Sequence, residues 1–295
     1  MNAPTMQVPG LPRLVEAETR RLLSRLSVRV ALGAMAAIGV ALPLLMLLIT
    51  LTVKQDVDGE VNRATFELSS ALYSTLAVRN FFVFRAMLIA VVAVSVAGEL
   101  GARTLREDLL RPVPRGRALM ARWLALMIFV AAGLVLPATL ALVLGVPMFG
   151  FGGDLRGVAE LYGLTFLGDA GFGTMVLAIA LFSRSVPGTI GGVFLYWVFD
   201  QMLQWLLWVL SLGLPLVEGT LKQQGLEQLF VILNALVQAR PWLPSAAFNL
   251  YWDHANQAAM AGATPWYWQS YVALVLITGL SMAAAHWRFR TMDID

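Results

Sequence analysis

Three ionisable side chains stand inside long apolar stretches of the sequence and are the first candidates for chemistry. Arg85, Asp169 and Asp200 each interrupt a run of residues that is otherwise nearly free of charge. A charge at membrane depth is costly, so such side chains pair with one another, face a protein interior or line a path for a substrate. Arg85 and Asp169 are both expected in the outer half of the bilayer, which favours a structural ion pair between them. A substrate contact is the alternative.

Polar side chains also accompany Asp200. Asp200 and Gln204 are four residues apart and therefore share one face of a helix. Gln201 lies beside them, and Trp197 and Trp208 are close by. A helix with one acid and two amides at mid-membrane is expected to face a partner helix or a wet path rather than lipid. Packing in a homodimer and lining a translocation route are both compatible with this pattern.

No other motif predicts catalytic or cofactor chemistry. The chain has no cysteine, and its two histidines, His254 and His286, are expected on opposite sides of the membrane, where they cannot share a metal ion. Neither Lys54 nor Lys222 follows a glycine, so the phosphate-binding loop of nucleotide hydrolases is absent. We therefore expect no catalytic residue, no metal and no cofactor in this chain.

The composition indicates whether the protein that carries these side chains is soluble in water or embedded in a membrane. The 295-residue chain is 59% hydrophobic and only 13% charged, and its mean hydropathy is +0.73. Soluble domains carry about 25% charged residues, and a soluble core of this size has no room for so much apolar surface. The sequence therefore excludes a soluble enzyme and predicts a membrane protein with several spans.

Six apolar stretches are long enough to cross a bilayer, which requires about 20 helical residues. The predicted spans are 30–53, 81–98, 123–146, 161–182, 187–212 and 268–287. We therefore predict an all-α, polytopic membrane protein that forms a single transmembrane domain over residues 1–295.

The placement of arginine and lysine predicts the orientation of this domain. The N-terminal segment, residues 99–122, the turn at Arg184 and the C-terminus together carry 14 of the 21 basic residues and a net charge of +7, whereas the rest of the chain carries −4. Positive charge is retained on the cytoplasmic side of a bilayer, so both termini are expected in the cytoplasm. The net charge of +3 is thus a signal of topology, and nucleic-acid binding is not expected.

Two segments are expected outside the spans. Residues 11–28 place apolar side chains on one helical face and arginines over much of the rest, which predicts an amphipathic helix in the cytoplasmic interface. A basic flank that only enforces orientation is the alternative. Residues 214–267 contain several tryptophans and tyrosines and are predicted to form a long external segment that could bind an external partner.

The loop between the second and third spans carries the most specific pattern in the chain. It reads ELGARTLR at residues 99–106 and LLRPVPR at residues 109–115. The first half can form a short helix, which Pro112 and Pro114 end and turn back toward the bilayer. Such a helix can dock on a partner protein and transmit a displacement to both adjoining spans. Composition alone would favour a basic loop that only maintains orientation.

The loop resembles the signature of ABC type-2 transporter permeases, in which an acidic residue precedes a run similar to GTLR and a proline-containing turn leads into the third span. The basic entry helix, the six spans, the external segment and the terminal FRTMDI at residues 289–294 fit the same family. The resemblance extends loosely over nearly the whole chain, and the 99–115 loop is its specific part.

The resemblance implies that residues 99–115 are a coupling helix that docks on a separate ATP-binding subunit, which would bind ATP and Mg²⁺. Two such subunits and two permease chains, a homodimer in preference to a heterodimer, would form an exporter in the bacterial cytoplasmic (inner) membrane. The coupling residues implied are Glu99, Gly101, Thr104, Leu105, Arg106, Arg111, Pro112 and Arg115, with Arg184 as a lesser contact.

Two other functions are compatible with the sequence. A non-transport membrane scaffold or mechanotransmitter would pass the motion of an ATPase to an external partner through residues 214–267. An ion-coupled carrier would use Asp169 and Asp200, but it is disfavoured by the small number of spans and the lack of a visible inverted repeat. No residue pattern in the chain selects a substrate.

Overall fold

The fold is a bundle of helices, and no strand occurs among the described residues. The computed structural model describes residues 10–52, 66–102, 113–223, 226–251 and 267–292. Its helices are α1 (Leu11–Ser24), α2 (Leu26–Thr52), α3 (68–101), α4 (Arg115–Phe149), α5 (Leu155–Ser183), α6 (Val186–Gln223), α7 (Glu227–Gln238), α8 (Pro244–Phe248) and α9 (Tyr267–Arg290). A short 3-10 turn over Arg240–Trp242 precedes α8. The predicted helical class is confirmed for the described part of the chain.

Among the described residues, six helical segments are long and apolar enough to cross a membrane, in agreement with the six predicted spans. They are Leu26–Thr52, Phe84–Gly101, Arg115–Phe149, Leu155–Ser183, Val186–Leu214 and Trp268–Arg290. Several begin or end beyond the predicted spans. α4, for example, begins at Arg115 rather than near residue 123, because the helical backbone continues through charged residues where hydropathy has already fallen.

The N-terminal helix is separated from the first span by a break at a single residue. α1 ends at Ser24, Arg25 has an extended backbone with ψ of 137°, and α2 begins at Leu26. The helix predicted over residues 11–28 is therefore divided in two. α1 packs against α4, and the Arg25 side chain reaches Glu99 near the end of α3.

α3 is one long helix that contains two wide turns. Its α-helical parts are Leu68–Val78, Phe84–Val92 and Gly98–Gly101, and π-helical turns occupy Arg79–Val83 and Ala93–Ala97. Such turns insert a residue into the helical ladder and are frequent at functional sites. The first turn carries Arg79, and the second lies shortly before Glu99. Both of these charged side chains are buried.

α5 is the central helix of the bundle. In its most apolar window 72% of the residues are buried, compared with 17–44% in the other five candidate spans. It packs against α3, α4, α6, α8 and α9. Asp169, in the middle of α5 and 2% exposed, is therefore surrounded by protein rather than by lipid, which is where charged groups in membrane proteins are tolerated.

The chain between α6 and α9 folds back into the bundle, which the prediction of an external segment did not anticipate. α6 continues to Gln223, and α7 packs against it. The following segment then buries Ser245, Ala246, Ala247, Phe248, Leu250 and Tyr251. The Phe248 carbonyl oxygen accepts a hydrogen bond from Arg85, which lies in the second candidate span, so α8 lies among the spans. Residues 252–266 of the predicted external segment lie outside the described residues.

The close approach of α5 and α8 makes Gly168 a sensitive position. A Cβ atom at residue 168 would collide with the Phe248 carbonyl oxygen. Gly168→Ala is therefore expected to lower the free energy of unfolding by about 1–3 kcal/mol, measured by equilibrium unfolding in detergent. Gly163→Ala is the control, because a Cβ there meets no atom within 4 Å, and it should cause no loss. Equal losses in the two variants would contradict this packing of α8.

Candidate functional site

A buried charge group, which consists of Arg79, Arg85 and Asp169, lies between α3 and α5. Arg79 and Asp169 are 0% and 2% exposed, and Arg79 Nη1 lies 2.8 Å from Asp169 Oδ2, without the geometry of a hydrogen bond. Arg85 Nε lies 3.6 Å from Asp169 Oδ1. The ion pair predicted between Arg85 and Asp169 is therefore present, but Arg79 is the closer and more deeply buried partner.

Uncharged groups also hold Arg79. Its Nε donates a hydrogen bond to the Gly133 carbonyl oxygen of α4 at 2.9 Å, and its Nη1 donates to Asn80 Oδ1 at 2.6 Å. The guanidinium carbon lies 3.8 Å from the centroid of the Phe84 ring. Arg79 was not predicted as a site residue because the predicted second span began at residue 81. The apolar stretch over residues 68–78 was the signal that could have extended that helix to include it.

Arg85 connects the buried charge group to the segment that folds back. Its Nη2 donates a hydrogen bond to the Phe248 carbonyl oxygen at 2.6 Å, and its guanidinium carbon lies 5.5 Å from the centroid of the Phe172 ring. The Arg85 side chain is 20% exposed, because one side of it borders a cavity. Arg85 thus belongs both to the ion pair and to the wall of that cavity.

The cavity has a volume of about 200 Å³ and is lined mainly by α3, α6 and the segment containing α8. Its aromatic wall consists of Phe172, Phe194, Tyr196, Trp197 and Phe248. Its polar side chains belong to Arg85, Asp200, Gln201, Ser245 and Asn249. A mostly apolar cavity with a few convergent polar groups is the usual form of a small-molecule site, so this cavity is the candidate binding site of the chain.

Asp200 and Gln204, which were predicted to share one face of a helix, have different neighbours. Asp200 is 5% exposed, and Ser245 lies next to its carboxyl group. Gln204 Oε1 instead accepts a hydrogen bond from Arg240 Nε at 2.9 Å. Gln201 is exposed and lines the cavity. Asp200 and Gln201 therefore belong to the cavity, whereas Gln204 ties α6 to the segment before α8.

At the far end of α3, the Glu99 carboxylate is surrounded by arginines. It is 8% exposed and lies 3.0 Å from Arg21 Nη2 of α1 and 3.2 Å from Arg122 Nη2 of α4. Arg25 Nη2, at the break between α1 and α2, donates a hydrogen bond to it. Charge-assisted contacts of this kind are about twice as strong as neutral hydrogen bonds. The Glu99 carboxylate is therefore turned inward, where it joins α1, α3 and α4.

Glu18 supplies a second acid at this junction. Its Oε1 lies 3.6 Å from Arg122 Nε and 3.8 Å from Arg21 Nη1. We refer to Glu18, Arg21, Arg25, Glu99 and Arg122 as the Glu99 cluster. The sequence analysis identified Glu99 but not Arg122, which lies beside a predicted span and has no motif that would mark it as a partner of Glu99.

Gly101, Arg115 and Arg184 of the predicted coupling surface also lie among the described residues. Gly101 packs on the turn after α5, where a Cβ atom would lie 3.2 Å from the Arg184 carbonyl oxygen. Arg184 is exposed, with a φ of 52°. Arg115 donates hydrogen bonds to the carbonyl oxygens of Arg290 and Met292 at 2.8 and 3.0 Å, which ties the last described residues to the start of α4. The predicted coupling residues that lie outside the described residues are Thr104, Leu105, Arg106, Arg111 and Pro112.

Metal binding finds no support in the described ranges. They contain no group of three or more His, Cys, Asp or Glu side chains that could hold a metal ion. The buried acids on α3 and α5 pair with arginines, and the acid on α6 faces Ser245. These acids therefore take part in ion pairs or border a cavity.

No protein-family model matches the chain, and no curated protein matches its sequence. Function is therefore inferred from the residues and the fold.

Proposed function

We propose that this chain is the membrane-spanning permease subunit of an ABC-type exporter in which a separate subunit hydrolyses ATP. The observation that carries the proposal is the Glu99 cluster, which joins three helices at the base of the 99–115 loop. The six candidate spans and the pattern of the loop support it. The chain itself is not catalytic in this proposal, because its partner binds ATP and Mg²⁺.

The Glu99 cluster gives the loop a stiff base. Glu99 of α3 contacts arginines from α1 and α4, so a partner that pushed on residues 99–115 would move all three elements together. Packed helices shift between discrete arrangements rather than bending continuously. The displacement would therefore travel along α3 to Arg85, which borders the cavity. α3 is the proposed connection between ATP hydrolysis and the candidate binding site.

The arginine-rich end of the bundle is the cytoplasmic end in this proposal. It carries α1, the Arg184 turn and the last described residues, which agrees with the retention of positive charge on that side of a bilayer. α1 exposes both Leu23 and Arg20, as expected for an amphipathic helix in the interface. Two copies of the chain and two ATP-binding subunits form the exporter, in the bacterial inner membrane.

Purification of the tagged chain from its native membrane, followed by mass spectrometry, tests this proposal. We expect a P-loop ATPase to co-purify in stoichiometric amounts. Arg106→Glu reverses a charge in the loop and is expected to reduce the recovered ATPase by about tenfold or more, because a charged contact at an interface is lost. Arg13→Glu, an exposed position on α1 outside the Glu99 cluster, is the control and should leave recovery unchanged. A preparation that is stable and active without any ATPase would contradict the proposal.

A second function, transmission of ATPase motion to an external partner without transport, is favoured by α7. This helix lies outside the six candidate spans and exposes Val231 and Ile232 by 64% and 57%. The bond between Arg240 and Gln204 joins the segment after α7 to α6, so motion of α6 would be passed to it. ATP-dependent movement of a substrate by the purified complex in vesicles would exclude transmission as the sole function.

A further inference from the structure

We infer that the cavity between α3, α6 and α8 binds a small organic cation, with Asp200 as the counter-charge and the aromatic side chains of α6 as the contact surface. The inference rests on the proposed function in one respect: the cavity would be a substrate site of the exporter. The binding event itself requires no ATPase and is measured on this chain alone.

The charges around the cavity are unevenly paired. Arg85 already has the Asp169 carboxylate at 3.6 Å and the Phe248 carbonyl oxygen at 2.6 Å. Asp200 is 5% exposed and lies next to Ser245; the charge of Arg85, on the same cavity, acts on it from a distance, but no described cation lies within ion-pair distance of its carboxyl group. A buried carboxylate without a paired cation is costly. A positively charged ligand next to Asp200 would remove that cost.

The aromatic wall favours a cation as well. Trp197 precedes Asp200 by three residues on α6, and the centroid of its ring lies 6.2 Å from that of Phe194. A cation within about 6 Å of such a ring is attracted by its electron-rich face, most strongly for tryptophan. Phe172 already faces the Arg85 guanidinium. Phe194, Tyr196 and Trp197 of α6 line the cavity, and their rings form the proposed contact surface for the ligand.

The size and position of the cavity restrict the ligand. Its volume is about 200 Å³, and an apolar cavity of roughly 150 Å³ holds a benzene-sized molecule. The ligand class is therefore an ammonium group attached to one ring or to an alkyl group of similar size. Ile190 and Phe194 of the wall are 46% and 57% exposed. The cavity thus opens on the side of the bundle, where an amphipathic cation dissolved in the membrane would enter.

Equilibrium binding of benzyltrimethylammonium to the purified chain in detergent tests the inference, because this probe has one ring and a permanent charge. We expect saturable binding that Asp200→Asn weakens by about tenfold or more and Trp197→Leu by about three- to tenfold. Trp205→Leu, on the same helix but 67% exposed and outside the cavity, should leave the affinity unchanged. Phenylacetate, an anion of similar size, should not compete.

Equal affinities of the Asp200→Asn variant and the unaltered chain would overturn the inference and assign Asp200 to helix packing. Competition by phenylacetate at the concentrations at which the cation binds would overturn it too. If Asp200→Asn does not fold, Trp197→Leu is compared with Trp205→Leu instead. Equal affinities of these two variants for the cation would overturn the inference. If the chain does not bind the cation but still co-purifies with an ATPase, the inferred cation site is contradicted and the proposed function is not. If the chain binds the cation but never associates with an ATPase, the proposed function is contradicted and the inferred cation site is not.

Discussion

Asp169→Asn is expected to lower the free energy of unfolding by about 3–5 kcal/mol, because it leaves two guanidinium groups inside the bundle without their carboxylate. Arg79 and Asp169 are 0% and 2% exposed, so water does not replace the lost charge. The amide of asparagine has nearly the same shape as the carboxylate, which separates the loss of charge from the creation of a cavity. Equilibrium unfolding in detergent micelles measures the effect.

Two double variants, each combining Asp169→Asn with the replacement of one arginine, identify which arginine is the stronger partner of Asp169. Arg79→Met in the Asp169→Asn background should recover part of the lost stability, because it removes the uncompensated charge. Arg85→Met in the same background should recover less. In Asp169→Asn the Arg85 guanidinium is still partly exposed, at 20%, and still donates to the Phe248 carbonyl oxygen, so its uncompensated charge costs less. Arg156→Ala, whose side chain on α5 is 91% exposed, is the control and should change nothing measurable. Two double variants no more stable than Asp169→Asn would show that the buried charge group does not act as a set of ion pairs.

Glu99→Gln is expected to release α1 from the bundle and to abolish coupling to the ATPase proposed as the partner of this chain. The substitution removes the negative charge that three arginines share, and we expect a loss of about 2–3 kcal/mol in the free energy of unfolding. The stimulation of ATPase activity by the permease should fall by about tenfold or more, because the loop loses its stiff base. Distances between spin labels on α1 and α4 measure the release directly, and ATPase assays of the reconstituted complex measure the coupling.

Two controls separate the role of Glu99 from that of the loop. Glu16→Gln removes an acid on α1 whose pairing with Arg20 is solvent-exposed, and it should leave both measurements unchanged. Arg106→Glu should abolish coupling but leave the distance between α1 and α4 as it was, because Arg106 is proposed to contact the partner ATPase and is not part of the Glu99 cluster. Unchanged distances and unchanged ATPase stimulation in Glu99→Gln would mean that the Glu99 cluster has no part in coupling.

Local properties of the sequence predicted much of the architecture. A span requires a run of about 20 apolar residues whatever its neighbours are, so hydropathy alone identified six spans. The cost of a charge at membrane depth is equally local, and it pointed to Arg85, Asp169 and Asp200 before any contact was known. The pairing of Arg85 with Asp169 followed from their expected depth, and Arg79 was missed because the predicted span began at residue 81, whereas the helix begins at Leu68.

Contacts between distant parts of the chain were not predictable in this way. Arg85 and Phe248 are 163 residues apart, and Arg25 and Glu99 are 74 residues apart. No periodicity marks residues 244–251 as a segment that enters the bundle, since their burial depends on the gap that α3, α5 and α9 leave between them. The inward direction of Glu99 likewise depends on the break at Arg25 and on the packing of α1 against α4.

The sequence by itself determined that this chain is helical, that six segments are apolar enough to span a membrane, and which acids and arginines carry its costly charges. These properties follow from the energy of placing each residue in lipid, which depends on the residue and its near neighbours. Only the tertiary structure decided which charges meet, where the cavity lies and which way Glu99 points. Those outcomes depend on the packing of helices far apart in the chain, because a side chain finds its partner across space rather than along the sequence.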